Sequence, residues 1–140
     1  MDKYIIDKDI TAAYVTASSF PDGIMAAHQQ LHKIVPFTTA RKYLGLSRPE
    51  GNGGIVYRAA AEVLSNEEIA QWQLDTYTIS QGTYYSLTIT NYMDDLPAIG
   101  RAFRQILARP DIDHDDGMCV EWYVSQKDVQ CMVKVKTQDL

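Results

Sequence analysis

The sequence predicts an α+β fold: two pseudo-symmetric strand–helix–strand–strand repeats forming one antiparallel sheet, with two helices on one face and a central ligand cleft. Three observations predict it. Residues 11–35 lie over residues 83–107 without a gap at an offset of 72, so that Thr11 meets Thr83, Asp22 meets Asp94, Ala26 meets Ala98 and Ile34 meets Ile106. A self-match of this length marks two copies of one supersecondary unit. In each copy a β-branched run gives way to apolar residues at 3-and-4 spacing, the change from strand to helix. Two further β-like runs follow each helix, and units of that order can pair their strands into one sheet.

The elements follow in order. TAAYVTAS at 11–18 is small and β-branched and reads as a strand. Pro21 and Asp22 open a helix whose face is Ile24, Ala27, Leu31 and Ile34, with Asp22 as the expected N-cap and Pro36 as its stop. A strand near 40–46, a turn on SRPEGNGG and a strand over 54–64 complete the first repeat, about 5–64. Ser65 and Glu68 have capping-box spacing, so a linker helix is expected over about 65–74. The second repeat, about 75–137, starts with the strand GTYYSLTIT. Asp94 or Asp95 is expected to cap a helix with Leu96, Ile99, Phe103, Ile106 and Leu107 on its apolar face. MCVEWYV and VQCMVKV then form a hairpin about the polar turn SQKD. The whole of 1–140 is expected to be one domain.

Composition narrows the function. The net charge is −5, with Lys and Arg scattered, so no basic stripe offers a surface to nucleic acid. The charged start MDKYIIDKDI has no apolar run and no stretch approaches a membrane span, so neither a signal peptide nor a membrane anchor is expected. Cys119 and Cys131 both fall in strands; with 125–128 as the turn, Cys131 is expected opposite Trp122, which makes a disulfide awkward. Two buried free thiols fit a cytoplasmic protein.

Several chemical patterns fail on spacing. His28 and His32 are one helical turn apart, but Gln29 stands where a zinc-protease helix needs its glutamate, and a third ligand is not evident. DIDHDDG at 111–117 has alternating acids, yet Gly117 falls one place late for a calcium loop and the closing glutamate position falls on Trp122. GNGG at 51–54 lacks the lysine of a phosphate loop. No metal, cofactor or catalytic constellation is expected.

The second repeat resembles the GyrI-like small-molecule-binding family, the bacterial effector-binding domain attached to many AraC- and MerR-type transcription regulators. The residues carrying the resemblance are GTYYSLTI, the helix LPAIGRAFRQIL, VEWY and the strand VQCMVKV, with GGIVYRAAAEV as a weaker match in the first repeat. The resemblance runs from about residue 5 to the end. It implies the duplicated fold, a pocket between the copies for cationic lipophilic compounds, and a pocket glutamate at Glu121 facing aromatic residues. It also implies two alternatives: hydrolysis of cyclopropane-type compounds in the same pocket, or inhibition of DNA gyrase. The chain departs from the family in ending VKVKTQDL, without the usual apolar-Pro close, and it has no room for a helix-turn-helix. The resemblance also leaves room for a protein partner, a regulator or gyrase.

Glu121 is the leading site residue on chemical grounds as well. It interrupts the apolar strand CVEWYV and shares a face with Cys119 and Tyr123. If the helices cover the Val120/Trp122 face, Glu121 and Tyr123 point into the cleft. A carboxylate in an apolar pocket is desolvated, and a bound cation offsets that cost. The plainer alternative is a solvent-facing glutamate or one paired with an arginine, for which Arg58 is the candidate. Nine tyrosines are present, and Tyr57, Tyr85 and Tyr123 lie on expected cleft strands, where their rings would attract positive charge. The expected function is a stand-alone small-molecule-binding module, with Glu121, Tyr123, Tyr57 and Tyr85 as ligand-binding residues.

Overall fold

A computed structural model of the chain describes residues 1–137; residues 138–140, the end of the VKVKTQDL segment, lie outside them. The elements are β1 (Asp2–Ile6), β2 (Ile10–Thr16), α1 (Ile24–Ile34), β3 (Tyr43–Pro49), β4 (Ile55–Glu62), α2 (Asn66–Trp72), β5 (Asp75–Ile79) and β6 (Gly82–Ile89). A 3-10 turn (Tyr92–Asp94), α3 (Pro97–Leu107), β7 (Cys119–Tyr123) and β8 (Val129–Lys134) follow. The fold is α+β, and all eight strands pair in one antiparallel sheet of order β1-β6-β8-β7-β3-β4-β2-β5.

Each copy carries one strand more than the sequence pattern predicts. The additions, β1 and β5, cross over: β1 pairs with β6 of the second copy, and β5 with β2 of the first. This exchange forces the sheet to curl. β1 and β2 stand six places apart in the order, as do β5 and β6, which in a flat sheet is about 29 Å. Yet only residues 7–9 join the first pair and residues 80–81 the second, and so few Cα steps span no more than about 11–15 Å. The edges must therefore approach each other. The Gln81 amide ties the two connectors together by donating to the Asp9 carboxylate at 2.7 Å.

Curling gives the sheet two unlike faces. Leu44, Leu46, Ala60, Tyr84, Val120 and Met132 meet inside the curl, with Trp122 against them. Both helices pack outside. α1 lays Ala27 and Leu31 on Ala13, Val15, Ala59 and Ala61, small residues that let it lie close. α3 lays Ala102, Phe103 and Ile106 on Tyr85, Cys131 and Val133. Burying such side chains stabilises by roughly 1.5–3 kcal/mol for each large one. The helices thus cover the face carrying Cys119, Glu121 and Tyr123, the reverse of the expectation that they cover Val120 and Trp122.

Other details are corrected. The N-caps are Gly23 for α1 and Leu96 for α3, neither with a side-chain cap bond, so Asp22, Asp94 and Asp95 do not cap. Asp95 instead pairs with Arg101 across the first turns of α3. In the last hairpin Glu121, not Trp122, stands opposite Cys131. Both thiols are free and buried. The linker helix α2 forms where expected, and it is pinned by a buried guanidinium. Arg41 forks onto both oxygens of Glu68 at 3.0 and 2.8 Å, donates to the Glu62 carbonyl at 2.9 Å and lies over the Trp72 ring. No helix among the described residues is long and apolar enough to cross a membrane.

Candidate functional site

The two copies meet where β3 pairs with β7. Four pairs join them: Leu44–Trp122, Gly45–Glu121, Leu46–Val120 and Ser47–Cys119. Gly45 lies beside Ala59 and Ala59 beside Val15, just as Glu121 lies beside Cys131 and Cys131 beside Leu87, the outer residues being shifted by the 72 places of the repeat. Gly45 and Glu121 therefore hold the same place in the two copies and sit on the axis relating them. One copy supplies a carboxylate at the axis, and the other supplies no side chain at all.

That vacancy is used by a tyrosine. A Cβ on Gly45 would fall 2.3 Å from the Tyr57 hydroxyl and 3.1 Å from Glu121 Oε1. Tyr57, one strand further out on β4, leans across this gap to reach Tyr123, with the hydroxyls 3.0 Å apart. Tyr123 donates to Glu121 Oε1 at 2.5 Å. On the other side His28 Nε2 meets the Tyr57 hydroxyl at 2.8 Å. A single hydrogen-bonded chain thus runs from α1 through Tyr57 and Tyr123 to Glu121. The His28 ring stands edge-on to both tyrosines, Tyr92 lies 5.7 Å from Tyr123, and Phe20 lies 6.2 Å from Tyr57.

Glu121 is 7% exposed. It takes part in neither ion pair found among the described residues. Burial drives its carboxyl pKa upward, and the hydrogen bond from Tyr123 only tempers the rise. Its neighbours respond to the same carboxyl. Burial and then the Glu121 charge push the phenols of Tyr57 and Tyr123 far up. The same two causes push the thiols of Cys119 and Cys131 up to about 12. Burial, with His32 nearby, lowers His28 to about 4. The site is a desolvated acid enclosed by aromatic rings and neutral groups, an arrangement that suits a cation and disfavours an anion.

Of the residues singled out in the sequence, the structure brings together Glu121, Tyr123 and Tyr57. Tyr85 stands elsewhere, under the far end of α3, where its hydroxyl bonds Asp111 and Arg109. Arg58 lies on the inner face over the Tyr14 ring and does not meet Glu121. Asp116 of the acidic loop accepts from Tyr77 and Ser80. Among the described residues no group of three His, Cys, Asp or Glu is placed to hold a metal ion. His28 and Gly45 were missed. His28 had a legible signal, since Ile24, His28, Leu31 and Val35 follow one helical stripe.

The rings of Tyr57, Tyr123 and His28 pack against one another beside Glu121. One cavity of about 250 Å³ lies on the other face, inside the curl, beside Tyr4, Leu44 and Trp122. Another, of about 290 Å³, adjoins Phe20 at the rim. The carboxylate and its aromatic cover therefore mark the site better than open volume does.

Gly45→Ala tests how tightly this centre is packed. The added methyl displaces the Tyr57 hydroxyl and should cost about 1–3 kcal/mol of stability in a urea titration. An unchanged midpoint would mean that Tyr57 swings away freely.

No protein-family model matches the chain, and no curated protein sequence matches it. Solved structures do. An integron cassette protein from the mobile metagenome of Vibrio cholerae superposes with a TM-score of 0.70 at 17% identity, covering 96% of this chain and 95% of that one. The protein SAV2435, bound to tetraphenylphosphonium, gives a TM-score of 0.64 at 14% identity over 97% and 94% of the chains. A Staphylococcus aureus MU50 protein assigned provisionally to bacterial transcription regulation gives 0.57 at 13% identity over 97% of both. At these identities the likeness is one of fold.

Proposed function

We propose that this protein is a GyrI-like binding module for small, amphipathic, lipophilic cations, held between the two copies with Glu121 as counter-charge and Tyr57 and Tyr123 as walls. One observation carries the reading. Glu121 is a buried carboxyl on the axis of the duplication, with no cationic partner among the described residues and with aromatic rings beside it. A lipophilic cation entering from the α1 side would supply the missing charge and the apolar contact together. The tetraphenylphosphonium bound by SAV2435 has this chemistry.

The test uses two probes of like shape and opposite charge. Tetraphenylphosphonium should bind saturably, and tetraphenylborate at least a hundredfold more weakly. Equal binding of both would reduce the site to an apolar surface, and no binding of the cation would end the reading.

A second reading is supported by one feature. Tyr123 lies 2.5 Å from a carboxyl whose pKa is raised, a pairing that general acid–base chemistry uses. Hydrolysis of cyclopropane-type electrophiles would then be catalysed in the same place. Turnover of such a compound, lost in Glu121→Gln, would establish it.

A further inference from the structure

The hydrogen-bonded chain at the centre of the site has two ends of unlike exposure. Glu121 lies at the floor, whereas His28 is half-buried on the surface of α1. Between them are two phenols, each with one proton and each able to donate in one direction at a time. The chain can therefore be ordered in two ways.

With Glu121 protonated, its O–H donates to Tyr123, Tyr123 to Tyr57, and Tyr57 to an unprotonated His28 Nε2, which leaves the imidazole proton on Nδ1. With Glu121 ionised, every bond reverses. His28 Nε2–H then donates to Tyr57, Tyr57 to Tyr123 and Tyr123 to the carboxylate. The two orders differ by one proton in total, while each phenol keeps one and the imidazole stays neutral.

The groups facing Glu121 give the first order its reason. Tyr123 and Cys119 share its strand, Cys131 stands opposite on β8, Tyr57 reaches in from β4, His28 from α1 and Tyr92 from the 3-10 turn. β3 presents Gly45, with the neutral Tyr43 and Ser47 on the same face to either side. On α3, Arg104 is exposed and Arg101 is engaged with Asp95. No cation is held within ion-pair distance of the carboxyl among the described residues, and a carboxyl in such surroundings holds its proton more tightly than an exposed one.

We infer that the site exchanges a proton for its ligand: uptake of a lipophilic cation over Glu121 expels one proton along Tyr123, Tyr57 and His28. The carboxyl O–H is broken and its proton passes to Tyr123. Tyr123 gives its own proton to Tyr57, Tyr57 gives its own to His28 Nε2, and the Nδ1 proton leaves to water. His28 changes tautomer, and the charge of the ligand is balanced by the carboxylate that remains. The inference rests on the cation-binding reading and adds to it a coupling to pH and a role for His28 and Tyr57 as conduit.

Linkage fixes the sign. Binding that releases a proton strengthens as pH rises, by about tenfold per pH unit while free Glu121 is protonated, and levels off once it is ionised. The experiment titrates the full-length protein with tetraphenylphosphonium by calorimetry, in buffers of different ionisation enthalpy, between about pH 5 and about pH 8. The ¹⁵N signals of His28 are followed in parallel. The expected result is about one proton released per cation on the steep part of the curve, with His28 moving from the Nδ1–H to the Nε2–H form. Glu121→Gln should release none. Binding with a flat pH profile and no proton release would overturn the exchange. Proton release with an unchanged His28 tautomer would overturn the route. Absence of cation binding at every pH would instead overturn the binding reading beneath it.

Discussion

Replacing Glu121 by glutamine should weaken tetraphenylphosphonium binding about ten- to a hundredfold at pH 8, a loss of about 1.4–2.8 kcal/mol. The magnitude follows from charge and distance. A carboxylate about 5 Å from a cation, at an effective dielectric near 20, contributes about 3 kcal/mol. Glutamine keeps the shape and can still accept from Tyr123, so the walls survive, and their cation–π attraction of about 0.5–2 kcal/mol leaves residual binding. Equal affinity in the variant would remove Glu121 from the site. The substitution also has a signature without ligand. A carboxyl whose folded pKa is raised stabilises fully below its ordinary value, near 4.5, and that stability is lost as pH rises through the folded pKa. Urea titrations should therefore show wild type losing stability relative to Glu121→Gln as pH climbs from about 5 to about 8.

Arg41→Met should cost about 2–4 kcal/mol of folding stability. The Arg41 side chain is 5% exposed and that of Glu68 20%. Methionine keeps the apolar stem against Trp72 but strips the Glu62 carbonyl and the Glu68 carboxylate of their donor. Removing one member of a buried pair costs about 3–5 kcal/mol. Partial exposure of Glu68 reduces that figure, and the Arg41 Nε has no partner to lose. Arg41's hydrogen bonds hold the Glu68 carboxyl down to about 2. Its contribution is thus present above the ordinary carboxyl value and is lost only as pH falls toward that figure. A double Arg41→Met, Glu68→Met variant should recover part of the loss, because neither charge is then stranded. A deficit under about 1 kcal/mol in thermal or urea unfolding would show that Trp72 alone holds α2.

The frame was legible because its signals are local. The duplicated strand and helix, the linker helix and the last hairpin all show in short-range pattern and turn chemistry. β1 and β5 were not, because DKYII and DTYTI are short and mixed, and each finds its partner in the other copy. Which face the helices cover was also hidden. In CVEWYV both faces are apolar enough to be buried, and only the curl decides which residues go inside. Glu121 was readable as an acid in an apolar strand. Its surroundings were not, since Tyr57 arrives through the space left by Gly45, and a glycine's use depends on a neighbour distant in sequence. Tyr85 shows a related limit. It shares the helix-covered face with Glu121, but it lies further along β6 beside Asp111 and Arg109, and distance along a strand is fixed by register with the other copy.

The crossing of β1 and β5 bears on how the chain is made. Of the eight strands β1 is made first, yet its strand neighbour is β6, so Tyr4 and Ile6 wait unpaired until most of the second copy has emerged. β5, by contrast, finds β2 already present. Closure is therefore late and long-range, the kind of pairing that folds slowly and leaves edges open to other chains meanwhile. Either half alone would carry an arm whose native partner lies in the missing half, and trading arms with a second copy of itself would restore that pairing.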